Sequence, residues 1–217
     1  MTSPYANRFW KKNWDNYVTD LKPEDYETTI TDMIKPTFKD FPNAMALEYF
    51  GLEMTFAELD KYSNQFANML RNNGFKKGDI VGINLPNTPQ YVIAELGTLK
   101  SGCIVSGVSP LLSTIQIHYQ LKDLGTDEKQ VALVTLDSSF SDHIIKISDK
   151  VKQLKTVITT DVASMLSKIP EDLTQSYGEI PEANVTPLEG KKVLNFKKDI
   201  LDSCSTTPLN VDITPDD

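Results

Sequence analysis

Residues 74–110 constrain the fold more than any other stretch, because strand, helix and strand signals follow one another there without a gap. A short apolar run rich in branched residues at 80–85 predicts a strand buried on both faces. Thr88 predicts the cap of a helix that is apolar on most faces and ends at Gly102. A second apolar strand follows at 103–108. Strands joined through a helix pair in parallel with a right-handed crossover, so this stretch predicts a parallel sheet covered by helices.

The same alternation continues on both sides of this unit. Two capping boxes, Thr55 with Glu58 and Ser113 with Gln116, predict the starts of two further helices. The other predicted elements are a β-hairpin at 44–54, helices at 55–74, 113–125 and 141–151, and strands at 131–135 and 156–159. The predicted fold class is therefore α/β, with a helix-covered, mostly parallel sheet and a small β-hairpin.

The distribution of prolines divides the chain into three predicted segments. Residues 1–43 form an N-terminal helical wrapping segment, in which Pro23 opens a helix and Pro36 ends it. Residues 44–160 form the α/β subdomain. Residues 161–217 are interrupted repeatedly by proline and predict an irregular connecting segment.

Composition and charge exclude several function classes. The 217 residues are 40% hydrophobic and 24% charged, which is typical of a folded soluble domain. A formal charge of −8 argues against a nucleic-acid partner, because such proteins carry a basic face. With neither a secretory leader nor a run of apolar residues long enough to span a bilayer, the predicted location is cytoplasmic. The aromatic and basic residues at 10–14 could touch a membrane surface transiently, although a packing arm is the simpler interpretation.

Neither the cysteines nor the most glycine-rich helix end predicts a metal or phosphate site. Cys103 and Cys204 lack the spacing of metal ligands and are expected to be free thiols. The segment 97–102 has two glycines near Lys100, but a phosphate-binding loop places its lysine after the second glycine, at a helix start. A helix end repels phosphate, so this segment predicts a helix C-cap. No metal site and no catalytic residue is predicted in the chain.

Residues 55–70 and 74–111 form a long, ordered motif that resembles the N-terminal signature of adenylate-forming acyl-CoA synthetases. With FWKKNWD at 9–15 and VALVTLD at 131–137, the resemblance covers most of the chain and points to the fatty-acyl-CoA ligase branch. It implies a parent enzyme that joins a fatty acid to CoA with ATP and Mg²⁺, through an acyl-adenylate.

Adenylation of this kind needs a Gly/Ser/Thr-rich loop and a lysine around the triphosphate, a metal ion, and a cation near the attacked phosphate. None of the family's motifs for these parts is present in the 217 residues. The sequence therefore predicts an N-terminal fragment that ends ahead of the phosphate-binding loop. We expect this fragment to be inactive and to bind neither ATP, Mg²⁺ nor CoA on its own.

The resemblance also suggests one ligand contact. Ser106 and Gly107 belong to a strand-end turn that, in acetyl-CoA synthetases, lies against the CoA nucleotide. Gly107, Ser109 and Pro110 match that turn, whereas Ser106 replaces a glycine. Ser106 and Gly107 are therefore the candidate CoA contacts, and a plain strand-to-helix turn is the alternative interpretation.

Two other functions remain open from the sequence. A freestanding interaction or scaffold module could keep this subdomain fold without catalysis. A small dinucleotide-binding protein ranks last, because no GxGxxG motif follows the first strand. Apolar surface left uncovered in a fragment also predicts self-association, with a homodimer as one form.

Overall fold

The computed structural model describes residues 8–14, 20–22, 26–126, 128–180 and 185–216. Pro23, predicted to open the first helix, lies outside these residues. Within them, seven strands form two sheets. The strands are β1 Met45–Tyr49, β2 Leu52–Thr55, β3 Ile80–Asn84, β4 Ile104–Gly107, β5 Val131–Leu136, β6 Leu154–Thr160 and β7 Lys192–Asn195.

Helices surround the larger sheet. The α-helices are α1 Ile30–Asp40, α2 Phe56–Asn72, α3 Pro89–Lys100, α4 Thr114–Leu124, α5 Asp137–Asp142 and α6 Glu171–Tyr177. Shorter turns of 3₁₀-helix occupy Phe9–Asn13, Ile144–Lys146 and Ser148–Lys150, and a π-helical segment follows β7 at Phe196–Leu201.

The larger sheet is parallel throughout, in the order β4-β3-β5-β6-β7. Ile80 pairs with Ile104 in parallel register, so the predicted strand-helix-strand unit is confirmed. The predicted hairpin is confirmed as the antiparallel pair β1 and β2. Both capping boxes are present, at the starts of α2 and α4. The predicted fold class is therefore confirmed.

Alternate residues of the central strands bury their side chains on opposite faces of the sheet. On one face, Ala132 and Val134 of β5 pack with residues of α2 and α3. On the other, Val131 and Leu133 pack with residues of α4 and with Phe140 of α5. Such strands are buried on both faces, which explains why they appear in the sequence as continuous apolar runs.

Helices α2 and α3 pack closely because Gly97 carries no side chain. A Cβ atom at Gly97 would lie 2.7 Å from the carbonyl oxygen of Ser63 and 2.7 Å from Cβ of Phe66. No residue of α3 is exposed, which confirms the predicted burial of this helix. It ends as predicted, with Gly102 at a φ of 73°, a left-handed conformation that glycine adopts without strain.

The segment after residue 161 contains more regular structure than its prolines predict. Strand β7 pairs in parallel with β6, and α6 precedes it. Val193 and Leu194 pack into the cores on opposite faces of the sheet. Four residues suffice for this edge strand, and an apolar run so short is not distinctive in a sequence.

Three local predictions differ from the structure. The helix predicted over 141–151 is replaced by the end of α5 and two 3₁₀ turns, because buried residues three apart fit a 3₁₀ turn as well as an α-helix. Pro36 does not end α1, which continues to Asp40. The Thr88 hydroxyl makes no capping hydrogen bond; instead the Thr88 carbonyl accepts one from the amide of Tyr91, at 3.0 Å.

Candidate functional site

The carboxyl edge of the parallel sheet is the candidate site, since open α/β sheets bind ligands where the strand order reverses. From β3 the chain crosses to β4 on one side, and then returns past β3 to β5 on the other. The reversal therefore lies between the carboxyl ends of β3 and β5.

Asn84, the last residue of β3, ties three strand ends together at this point. It is fully buried. Its Nδ2 donates to the carbonyl oxygens of Val108 at 3.1 Å and Ser109 at 3.0 Å. Its Oδ1 accepts from the hydroxyls of Thr135 at 2.8 Å and Ser139 at 2.9 Å. All four polar contacts of the carboxamide are thus made within the protein, and Asn84 itself has little capacity left for a ligand.

The predicted contact residues Ser106 and Gly107 lie beside this hub, at the carboxyl end of the edge strand β4. Ser106 is half-buried and Gly107 is exposed. Among the described residues, a Cβ atom at Gly107 would meet only the hydroxyl of Tyr91 within 4 Å, at 3.9 Å. The backbone here is therefore open to close approach by a ligand, and whether CoA uses it stays a prediction.

A second buried amide, Gln90, joins the start of α3 to the carboxyl end of β6. Its Nε2 lies 2.8 Å from Oγ of Ser164, 3.0 Å from the carbonyl oxygen of Asp161 and 3.4 Å from Oγ1 of Thr160. Two polar networks, centred on Asn84 and Gln90, thus close the edge of the sheet between β4 and β6.

Asp137 is the buried carboxyl group closest in sequence to the end of β5. Only 6% of the residue is exposed, and its Oδ1 has no hydrogen-bond partner among the described residues. Burial raises the pKa of the Asp137 carboxyl, and the charge of Asp161 raises it further. Asp137 and Asp161 line a small cavity with Tyr177 and Glu179.

Lys100, in the helix-end segment 97–102, is occupied by structural contacts. Its ammonium group lies 2.6 Å from Oδ1 of Asp60, 2.7 Å from Oγ of Ser63 and 2.9 Å from Oδ1 of Asn64. The same nitrogen lies 4.9 Å from the centre of the Phe38 ring. Lys100 therefore holds α3 to α2, as expected of a helix end rather than a phosphate-binding loop.

The described residues lack a cluster of metal ligands. They include no group of three or more His, Cys, Asp or Glu side chains placed to hold a metal ion. Lys100, in the helix-end segment 97–102, is engaged by Asp60, Ser63 and Asn64. Cys103 and Cys204 are free thiols, as predicted.

Sequence reasoning missed Asn84, Gln90 and Asp137. Asn84 was part of an apolar run, and its role depends on β3 lying next to β5, which is not its neighbour in the chain. The available signal was a polar residue at the end of each buried strand, Asn84 after IVGI and Asp137 after VALVTL.

Over the part of the chain that the structure describes, no helix is long and apolar enough to cross a membrane.

Residues 35–207 match the model of one protein family, described as AMP-binding enzyme. A long-chain-fatty-acid–CoA ligase of Escherichia coli O6:H1 is 32% identical over 163 residues, which are 72% of this chain and 28% of that protein. The ligase of the same name from Bacillus subtilis strain 168 is 31% identical over 142 residues, 65% of this chain and 24% of that protein. The chain thus spans less than a third of these relatives.

Solved structures share the fold. An anthranilate CoA ligase, AuaEII, in complex with anthranoyl-AMP superposes with a TM-score of 0.65 at 22% identity, covering 86% of this chain and 30% of that one. A long-chain-fatty-acid-CoA ligase from Archaeoglobus fulgidus gives a TM-score of 0.61 at 17% identity, covering 88% of this chain and 33% of that one. At these identities the likeness establishes the fold alone.

Proposed function

The chain belongs to the AMP-binding enzyme family, and on this basis we propose that it is the N-terminal part of an ATP-dependent fatty-acyl-CoA synthetase. The parent enzyme would convert a carboxylate, ATP and CoA into acyl-CoA, AMP and pyrophosphate through an acyl-adenylate. The observation that carries this proposal is the match to long-chain-fatty-acid–CoA ligases over 72% of the chain. Fatty acid and CoA are the proposed substrates, and Mg²⁺ the proposed metal.

In this proposal the chain supplies structure and one wall of the active-site crevice. Among the described residues no group of three or more His, Cys, Asp or Glu is placed to hold a metal ion, and Asn84 and the Nε2 group of Gln90 are engaged in structural networks. We therefore propose that the isolated chain forms no acyl-adenylate and binds neither ATP nor Mg²⁺.

The division into segments 1–43, 44–160 and 161–217 is likewise a proposal. It assigns the first segment to wrapping, the second to the α/β subdomain and the third to the connection with the catalytic half. Because β7 at Lys192–Asn195 completes the sheet, the third segment would contribute to the subdomain before it connects.

Ser106 and Gly107 are the proposed contacts for the CoA nucleotide. Two features support this role, the exposure of Gly107 at a strand end and the open space around its Cα. In the full-length enzyme, Gly107→Leu should raise the KM for CoA and leave the KM for ATP unchanged. Lys152→Leu is the control, because Lys152 is exposed in the turn before β6, at the amino edge of the sheet and away from Gly107. An unchanged KM for CoA in a folded Gly107→Leu enzyme would remove the contact.

Location and partners are the subject of further predictions. A cytoplasmic location, a homodimer, a transient membrane contact by residues 10–14 and the absence of a nucleic-acid partner stay proposals. In that short segment, Lys11 pairs with Asp20 and lies 5.6 Å from the Trp14 ring centre, so its charge is partly used within the protein. Size-exclusion chromatography with light scattering would test the dimer, and a clean monomer would contradict it.

The decisive test is acid-dependent pyrophosphate release. The full-length protein that contains these residues should release pyrophosphate with a long-chain fatty acid and ATP, and form acyl-CoA when CoA is added. Purified residues 1–217 should do neither. A full-length protein without either activity would favour the scaffold alternative, whereas activity of the 217 residues alone would overturn the proposed division of labour.

A further inference from the structure

Three consecutive carbonyl groups, at residues 107, 108 and 109, are held by donors from two other elements. Gln120, on α4, donates through Nε2 to the carbonyl oxygen of Gly107 at 2.8 Å. Asn84, on β3, donates to the carbonyl oxygens of Val108 and Ser109. The amide of Val108 in turn donates to the carbonyl oxygen of Ile83 at 2.9 Å. The backbone of this turn is therefore fixed from both sides.

We infer that Asn84 and Gln120 are positioning residues that set the backbone of residues 107–109 and thereby the affinity of the enzyme for the CoA nucleotide. This inference rests on the proposed function, and in particular on a ligand contact at Gly107. Neither side chain touches the ligand in this scheme. Asn84 is wholly buried, and Gln120 reaches the turn from the neighbouring helix.

An asparagine suits this position because a carboxamide donates two hydrogen bonds and accepts two. The hydroxyls of Thr135 and Ser139 donate to Oδ1 of Asn84, and this orients Nδ2 towards the turn. An aspartate would keep the two accepted bonds and lose both donated ones, so Asn84→Asp would set a carboxylate against two carbonyl oxygens. The turn would then be expected to move while the core beneath it keeps its shape.

Thr135→Val provides a matched control. Valine has nearly the shape of threonine, and the change removes one of the two hydrogen bonds to Oδ1 of Asn84. Ser139 still donates to Oδ1, so the carboxamide keeps its orientation and its two bonds to the turn. Both variants disturb the same buried hub. Only Asn84→Asp removes a contact to residues 108 and 109, so the pair separates positioning of the turn from general loss of stability.

Gln120→Ala gives a second, independent variant that is expected to fold, because Gln120 is only partly buried at the helix surface. It releases the Gly107 carbonyl alone. If displacement of the turn weakens one hydrogen bond to CoA, Asn84→Asp should raise the KM for CoA about tenfold and Gln120→Ala about threefold. At saturating CoA the kcat should stay near the wild-type value, and the KM for ATP and fatty acid should not change.

The experiment measures KM for CoA, KM for ATP and kcat for the full-length enzyme and its three variants, with the melting temperature of each. Elevated KM for CoA in Asn84→Asp and Gln120→Ala, but not in Thr135→Val, supports the inference. Unchanged values in Gln120→Ala, or an equal rise in Thr135→Val, overturn it. If Asn84→Asp does not fold, Gln120→Ala decides. An inactive wild type would contradict the proposed function itself, which separates the two failures.

Discussion

Replacing Gly97 with alanine should destabilise the protein, although removal of a glycine from a helix interior ordinarily stabilises it. Gly97 lies within α3, where α3 crosses α2. A Cβ atom there would come within 2.7 Å of the carbonyl oxygen of Ser63, 2.7 Å of Cβ of Phe66 and 2.9 Å of its Cδ1. Phe66 is fully buried, and its ring centre lies 5.7 Å from that of Phe196.

Two opposing effects decide whether Gly97→Ala raises or lowers the stability of the protein. Alanine gains about 1 kcal/mol over glycine in helix propensity. Inserting a methyl group into a packed core costs about 1–3 kcal/mol, and the upper part of that range applies when no side-chain rotation can relieve the contact. Two of the three close atoms belong to the backbone or to a Cβ, which cannot move without the helix. We therefore expect a net loss of about 1–2 kcal/mol, or a fall of about 2–8 °C in melting temperature for a chain of this size.

Urea unfolding followed by circular dichroism measures this difference directly. Asn72→Ala is the control, because Asn72 is exposed at the end of α2, and its replacement should change the unfolding free energy by no more than about 0.5 kcal/mol. A Gly97→Ala protein as stable as the wild type, or more stable, would refute the close packing of α2 and α3 at Gly97.

Three further changes test other parts of the structure. Burial raises the pKa of Asp137, so its carboxyl group holds a proton more tightly in the folded protein than in the unfolded chain. The free energy of unfolding therefore falls as pH rises through the pKa that Asp137 has in the folded protein. Asp137→Asn should therefore be more stable than wild type at pH 7 and lose this advantage near pH 4, as measured by urea unfolding at both values. Asp79→Ala should lower the free energy of unfolding by about 2–4 kcal/mol in the same assay. The buried carboxylate of Asp79 accepts hydrogen bonds from the backbone amide of Gln130 at 3.0 Å and from that of Lys76 at 2.7 Å. Lys100→Met should lower the free energy of unfolding by about 1–2 kcal/mol. This is less than the loss of a fully buried ion pair would cost, because the Asp60 side chain is 38% exposed. An unchanged free energy of unfolding would contradict the role of this contact.

Local signals account for the parts of the fold that the sequence predicts correctly. The unit from β3 to β4 carries its own helix start and stop, and the two capping boxes require only residues three apart in the chain. Such features are decided within one or two turns of backbone, so neighbouring residues suffice to identify them.

The errors arise where distant packing decides the structure. Pro36 lies inside α1, and helix formation on either side of it outweighs the one hydrogen bond that proline removes. The four residues of β7 form a strand because β6 offers a free edge and both cores accept Val193 and Leu194. Neither circumstance can be detected in a short window of sequence.

The candidate site depends on the same kind of information. In the register of the sheet, Asn84 of β3 pairs with Thr135 of β5, and Thr135 pairs with Thr159 of β6. This polar row forms only because β5 lies next to β3, and 46 residues separate the end of one strand from the start of the other in the chain. A polar residue at the end of an apolar strand is thus a usable signal once strand order is known. Where strand order reverses, Asn84 bonds to Thr135 across the edge, and it also fixes the backbone turn beside half-buried Ser106 and exposed Gly107.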